Sequence, residues 1–273
     1  MPTYSISRIG TFEKCPMKYK FSYIDKIKPE IPTTIEAFLG SRVHDALQKL
    51  YREKGKGTVM SLEWLLRYYS WIWDKKWEDS ILIVRDDKTR DDYRSEGERQ
   101  LGVYHASHEP FDEGEILGLE TWERLALEEG ETGEASGQEG TSDAANAPEK
   151  PRYSFHIRID RLMATGDGRY EVHDYKCGAR MNTQEGLDKD RQLAMYSLWV
   201  RERYADCKDV RLVWHFTAHG KEMESRRSTE QLAELRANIL TQIKEIEAAE
   251  EFPAKVTRLC DWCEYKTICP EWT

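Results

Sequence analysis

YSFHIRIDRLMATGDGRYEVHDYKC, Tyr153 to Cys177, reads as two strands joined at the turn-forming TGDG of residues 165–168. A turn centred near Asp167 leaves Asp160 and Asp174 seven residues to either side, facing each other across neighbouring strands. Directly opposed side chains have Cβ atoms about 5 Å apart, and like charges there destabilise the pair. Two carboxylates so placed need a cation between them or a raised pKa in one of them. Strand alternation puts Lys176 on the face of Asp174, with the main-chain carbonyl of Tyr175 close by. Oxygen ligands of this kind suit Mg²⁺ or Mn²⁺, an ion that can sit beside a phosphate and lower the pKa of an attacking water. Lys176 is placed to orient or deprotonate such a water, or to offset charge in the transition state. The plainer alternative is a surface hairpin with an Asp–Lys pair.

Upstream, ILGLETWERLAL reads as a third strand; downstream, GLDKDRQLAMYSLWVRERY reads as a helix and DVRLVWHFTAH as a further strand. STEQLAELRANILTQIKEIEAAEEF is a long amphipathic helix with Leu232, Leu235, Ile239, Ile243 and Ile246 as its apolar stripe. The N-terminal part, 1–110, is helical. SRIGTFEKCPMKYKFSYI is a helix pair or a helix kinked at Pro16. EAFLGSRVHDALQKLYREKG turns Phe38, Val43, Leu47 and Leu50 inward, and the aromatic SLEWLLRYYSWIWDKKWED is a core helix.

No apolar run in the 273 residues approaches the roughly 18 a membrane span needs. MPTYSISRIG has neither a basic nor an apolar signal region, so a soluble, cytoplasmic protein with no membrane partner is expected. The net charge of −9 disfavours nucleic acid only on average. Residues 112–150 hold twelve acids against Arg124 and Lys150, and 128–151, lacking any aromatic or large aliphatic residue, reads as a disordered acidic insertion. Residues 8–28, by contrast, carry six bases against Glu13 and Asp25, interleaved with Phe12, Tyr19, Phe21 and Tyr23. Such a stretch suits single-stranded nucleic acid, although an amphipathic helix with its rings in the core has the same pattern.

The tail, 252–273, supplies Cys260, Cys263 and Cys269 as C-x2-C-x5-C, and Cys15 stands near the other end. Four thiolates can hold zinc or an iron–sulfur cluster, and spacing alone does not separate the two. Cys177 and Cys207 read as small buried hydrophobes. No Walker A sequence occurs, so any helicase is a separate partner.

These pieces together resemble the RecB-like branch of the PD-(D/E)XK nucleases, the group with the CRISPR spacer-acquisition nuclease and exonuclease V-like enzymes. The likeness rests on YSISRIGTFEKCPMKYKFSYI, on GSRVH (Gly40 to His44), on Ile159-Asp160-Arg161, on Asp174-Tyr175-Lys176, and on Gln192 to Tyr196 as Q-x-x-x-Y. It implies a single α/β nuclease domain over 1–273 with a restriction-endonuclease-like core, a small mixed sheet flanked by helices. It also implies that His44, Asp160, Asp174 and the Tyr175 carbonyl hold Mg²⁺ or Mn²⁺ and that Lys176 is the catalytic base. Glu120 contributes from the preceding strand, with Glu123 as rival, and Gln192 and Tyr196 reach the phosphate or the lysine. The four cysteines then match a 4Fe-4S arrangement joining the N- and C-terminal helical parts. Arg8, Lys14, Lys18, Tyr19, Lys20 and Arg161 are the candidate DNA contacts. The implied activity is metal-dependent DNA hydrolysis, exonucleolytic on single strands or frayed ends, in repair, recombination or CRISPR adaptation. The alternative is a catalytically silent iron–sulfur subunit of a helicase or integrase complex.

Overall fold

The computed structural model describes residues 3–29, 31, 33–128 and 152–272; the acidic insertion expected at 128–151 lies almost wholly outside the described residues. The sheet is organised by β3 (Arg152–Gly166), long enough to carry partners along both edges. β2 (Glu115–Glu128) runs antiparallel along one edge, from Glu115 opposite Ala164 to Glu128 opposite Arg152. The other edge is shared. β4 (Arg169–Lys176) pairs antiparallel with the C-terminal part of β3, and β1 (Thr3–Tyr4) pairs parallel with Ser154 and Phe155. β5 (Asp209–Phe216) adds parallel to β4, and β6 (Lys221–Ser225) antiparallel to β5. The result is a mixed six-stranded sheet among the described residues. The hairpin register matches the sequence reading: Arg161 pairs with His173 and Leu162 with Val172, so Asp160 and Asp174 come next on their strands.

Helices cover both faces. On one, α1 (Ile6–Lys14), α7 (Arg191–Arg203) and α8 (Thr229–Glu247) pack Ile9, Leu193, Val200, Ile239 and Ile243 onto the strands. On the other, α3 (Ile35–Lys54), α4 (Leu62–Lys76) and α5 (Arg90–His108) form a second core with Tyr175. In α3 the row Ile35, Leu39, Val43, Leu47 and Tyr51 is buried, the four-residue spacing of one helix face. No strong apolar periodicity announces α5. It buries Gly97, Gln100, Leu101, Tyr104 and His105, and its start is marked instead by a Thr89–Asp92 capping box. Gly97 lies so close to the Tyr69 hydroxyl of α4 that a Cβ there would overlap it.

The remaining differences from the sequence reading are local. Cys15 adopts extended backbone between α1 and α2 (Pro16–Tyr19), and a wider π-turn, Lys20–Ile24, follows. The single helix expected near 186–204 is two: α6 (Gln184–Asp188) ends before Asp190, whose carboxylate caps α7 by accepting from Leu193 N–H at 2.9 Å. Strands β1 and β6 are too short, and β6 too charged, to show a period of two.

Glu13 joins three helices. Its carboxylate accepts from Arg191 at 2.9 and 2.6 Å and from Gln242 at 2.8 Å, tying α1 to α7 and α8. The Arg191 hydrogen bond holds the Glu13 carboxyl below its ordinary 4.5. A depressed carboxyl contributes stability that is complete above the unfolded value and fades as the pH falls through the folded one. Glu13→Gln is therefore expected to lose less than about 1 kcal/mol at pH 7, the pair being partly exposed. Denaturant titrations of variant and wild type should converge as the pH drops below 4.5 and through the lower folded value.

Candidate active site

In α3 the row Gly40, His44, Gln48 lies beside the buried stripe and faces the sheet. Gln48 donates to the Leu119 carbonyl at 3.5 Å, and a Cβ on Gly40 would meet Cys177 Cβ at 3.9 Å. Opposite His44, β2 is irregular. Its register with β3 shifts between Ile116 and Gly118, and Glu120 has φ +51°. A side chain held in the left-handed region costs about 1–2 kcal/mol and persists only where its surroundings impose it. Leu119 pairs with Arg161 and Thr121 with Ile159, which leaves Glu120 opposite Asp160.

These strands bring an imidazole and two carboxylates together. His44 Nδ1 is 3.2 Å from Glu120 Oε1 and 3.5 Å from Asp160 Oδ2, while Nε2 is 2.9 Å from the Tyr175 carbonyl. One ligand atom from each of His44, Glu120 and Asp160 lies within 4.8 Å of the others. Glu123, the rival, is opposite Ile157 and outside this group. Asp160 also accepts the Tyr175 N–H at 2.9 Å. Burial disfavours the His44 imidazolium, but hydrogen bonds to Asp160, Cys177 and Glu120 overcome it and raise the pKa well above 6.5. Burial likewise opposes the Asp160 anion, and the His44 hydrogen bond and charge, the Tyr175 N–H and Lys176 together more than offset it and lower its pKa.

Asp174 stands outside that tight group. It faces α7, paired with Lys176 Nζ at 2.7 Å and approached by Gln192 Nε2 at 3.4 Å. Gln192 also donates to the Tyr196 hydroxyl at 2.9 Å, so the i, i+4 pair fixes the carboxylate of Asp174. Burial pushes the Asp174 carboxyl up to about 6 against the pull of Lys176, with Asp160 adding to the rise. For Lys176 burial acts downward, and the charge and hydrogen bond of Asp174 with the charges of Asp190 and Asp160 together overcome it, so the amine stays protonated in this pairing.

The donor set suits a hard divalent cation. His44 is shared between carboxylates on one nitrogen and a carbonyl on the other, so protons occupy the place between ligands. Carboxylates, an imidazole and a main-chain carbonyl are donor types that Mg²⁺ or Mn²⁺ accepts. Arg158, which the sequence reading missed, completes the surroundings. It donates to Glu120 Oε2 from Nε at 2.8 Å and approaches with Nη2 at 2.7 Å, beneath the exposed ring of Trp122. Its place two residues before Asp160 on the same strand was the available signal.

Two of the expected DNA contacts are corrected. Arg161 is 0% exposed, lying 3.9 Å over the Tyr51 ring and bonded to His173 Nδ1 at 2.9 Å. Tyr19 is buried between Phe12, Tyr23 and Phe252, its hydroxyl accepting from Arg8 at 3.1 and 3.0 Å. Alternating aromatics here mark a core-facing helix. Arg8 stacks on Tyr4 and Tyr23 as well, Lys18 pairs with Glu264 at 2.6 Å, Lys20 pairs with Asp25 at 2.8 Å, and Lys14 is exposed.

The two chain ends meet. Cys15, Cys260, Cys263 and Cys269 all line one cavity, together with Met17, Phe21 and Tyr265. Met17 N–H bonds the Pro253 carbonyl at 3.3 Å, and the Tyr265 hydroxyl lies between Ser22 and the Ile27 carbonyl. Four thiols at one cavity are a donor set that soft-metal centres use. Cys177 and Cys207 are partly buried and packed against the two cores.

Among curated proteins none matches this sequence. A solved structure, "Crystal structure of SSO0001", is similar over 99% of this chain and 87% of that one, at 13% identity and a TM-score of 0.39, a likeness that carries no functional weight. The family model described as the PD-(D/E)XK nuclease superfamily matches residues 3–270, a span that holds every strand and helix named above. With that match over almost its full length, the chain belongs to the PD-(D/E)XK nuclease superfamily.

Proposed function

We propose that this protein is a metal-dependent deoxyribonuclease of the RecB-like branch, acting as an exonuclease on single strands or frayed ends, with a 4Fe-4S cluster on Cys15, Cys260, Cys263 and Cys269. The observation that carries the reading is the His44–Glu120–Asp160 group beside the buried Asp174–Lys176 pair. Mg²⁺ or Mn²⁺ held by His44, Asp160, Asp174, the Tyr175 carbonyl and Glu120 supplies Lewis acidity toward a phosphodiester and its attacking water.

The side chains do the rest. Lys176, kept as an ammonium by Asp174, orients the attacking water and offsets charge developing on the phosphoryl oxygens. Gln192 holds Asp174 Oδ1 and is itself oriented by Tyr196. Arg158 occupies Glu120 Oε2 and leaves Oε1 turned toward His44. Burial of Asp174 keeps the group short of water, which strengthens each of these interactions.

Anaerobically purified protein, given end-labelled single-stranded DNA with each metal in turn, should release short products from an end with Mg²⁺ or Mn²⁺ and none with chelator. Absence of metal-dependent cleavage by iron-loaded protein would remove the nuclease reading. Cys263→Ser should lose iron, sulfide and the broad visible absorbance of the cluster together. Zinc in place of iron and sulfide in the wild-type protein would exclude the cluster.

A further inference from the structure

A second set of metal-ligating side chains lies on the other face of the sheet from Asp174 and Lys176. His215 on β5 is opposite Tyr175 of β4, whose side chain alternates with those two. The 3₁₀ turn Thr217–His219 and Gly220, at φ +58°, fold β6 back so that Glu222 pairs with His215. A Cβ on Gly220 would press on Val103, so glycine lets this hairpin approach α5, where His108 is the last helical residue. One ligand atom from each of His108, His215 and Glu222 lies within 4.8 Å of the others.

The surrounding contacts hold the rings. His108 Nδ1 is 2.9 Å from the Tyr104 carbonyl, which turns Nε2 toward Glu222 Oε2 at 3.5 Å. The Nδ1 of His173, whose Nε2 lies 3.2 Å from Glu171 Oε2, is turned toward His215. Arg161 Nη2 and His215 Nε2 both approach this Nδ1 at 2.9 Å. Arg161 Nη2 also lies 3.3 Å from His215 Nε2, and His215 Nδ1 faces the same Glu222 oxygen at 3.4 Å. One nitrogen from each of two imidazoles and a carboxylate oxygen thus converge on one point, as ligands around a cation do.

We propose that His108, His215 and Glu222 form a binding site for a divalent transition-metal ion of the zinc class, separate from the nuclease centre. Two imidazoles and one carboxylate suit zinc, whereas Mg²⁺ favours sites dominated by oxygen ligands. Hydrogen bonds at the far ring nitrogens, with the Tyr104 carbonyl for His108 and with His173 for His215, orient both ligands as outer-shell partners do at metal sites. The group opens on a pocket of about 240 Å³ bordered by Ser107, Thr217 and Lys221, leaving room for water as a further ligand. Occupancy would clamp α5 to the β5–β6 hairpin and stabilise the fold by mass action.

The test is a zinc titration of the metal-stripped full chain, reading stoichiometry and the zinc-induced rise in Tm. Glu222→Gln and His108→Ala should each remove one zinc equivalent or weaken it at least ~100-fold. Asp160→Asn, which alters the nuclease centre, should keep that equivalent, and zinc on the cysteines is common to all forms. Glu222 is exposed, so its variant should match the wild-type Tm without metal and lose part of the rise with it. Unchanged zinc binding in both variants, or displacement of the zinc by millimolar Mg²⁺, would overturn the proposal.

Discussion

Lys176→Ala should lower kcat for metal-dependent DNA cleavage by about 10²–10³-fold while DNA affinity changes little, the effect of removing one preorganised charge from a transition state. The protein should remain folded. Asp174, 6% exposed at its side chain, loses its ammonium partner but keeps Gln192. A carboxyl already pushed up to about 6 by burial moves higher still and takes a proton at neutral pH, so no buried charge is left unpaired. The sign of the pH effect follows. A raised carboxyl pKa makes ionisation destabilising, so the variant should be less stable than wild type above about pH 6 and equal to it below the ordinary 3.8. Single-turnover digestion of labelled single strands at saturating Mn²⁺, with affinity from anisotropy, separates the rate from binding. Cleavage at the wild-type rate would show that Lys176 has no part in the chemistry.

Arg161→Ala should cost about 3–5 kcal/mol of stability, comparable to breaking a buried charge contact or emptying a core site. Its guanidinium fills the space over Tyr51, bonds His173 and lies 3.6 Å from Glu113, whose carboxylate oxygens are buried without a hydrogen bond. Truncation leaves both a cavity and those oxygens unpaired. Arg161→Met should recover part of that loss, because it refills the cavity but still leaves the Glu113 oxygens unpaired. Chemical denaturation measures both. DNA binding supplies the contrast: Lys14→Ala should reduce the slope of log K against log salt by about 1, and Arg161→Met should leave it unchanged. A lowered slope for Arg161→Met would return that residue to the DNA interface.

The difference between Lys14 and Arg161 shows what could be read from residue order. Basic residues beside a site motif suggested phosphate contacts, yet whether an arginine meets phosphate or a tyrosine ring depends on what packs over its strand, and α3 supplies Tyr51. The aromatics of residues 12–23 misled for the same reason: period and composition are alike for a stacking platform and for a helix face buried against Phe252. Helix α5 escaped notice because its buried face is glycine, glutamine, tyrosine and histidine. Glu120 was preferred to Glu123 on residue order, and what needed the tertiary structure was its place opposite Asp160 and the left-handed turn of its backbone.

Residue order alone determined the hairpin and its register, since TGDG sets the turn and the turn sets which residues face each other. It also determined the apolar rows of α3 and α8, which follow from a period of 3.6, and the local pairs Asp174–Lys176 and Gln192–Tyr196, whose spacing holds on any strand or helix. Tertiary structure decided everything that joins distant segments. It brought His44 to Asp160, divided the carboxylates into a tight group and a lysine pair, buried Arg161, gathered Cys15 with the tail, and set His108 beside His215 and Glu222. Periodicity fixes which face of an element is apolar, but long-range packing fixes what that face meets.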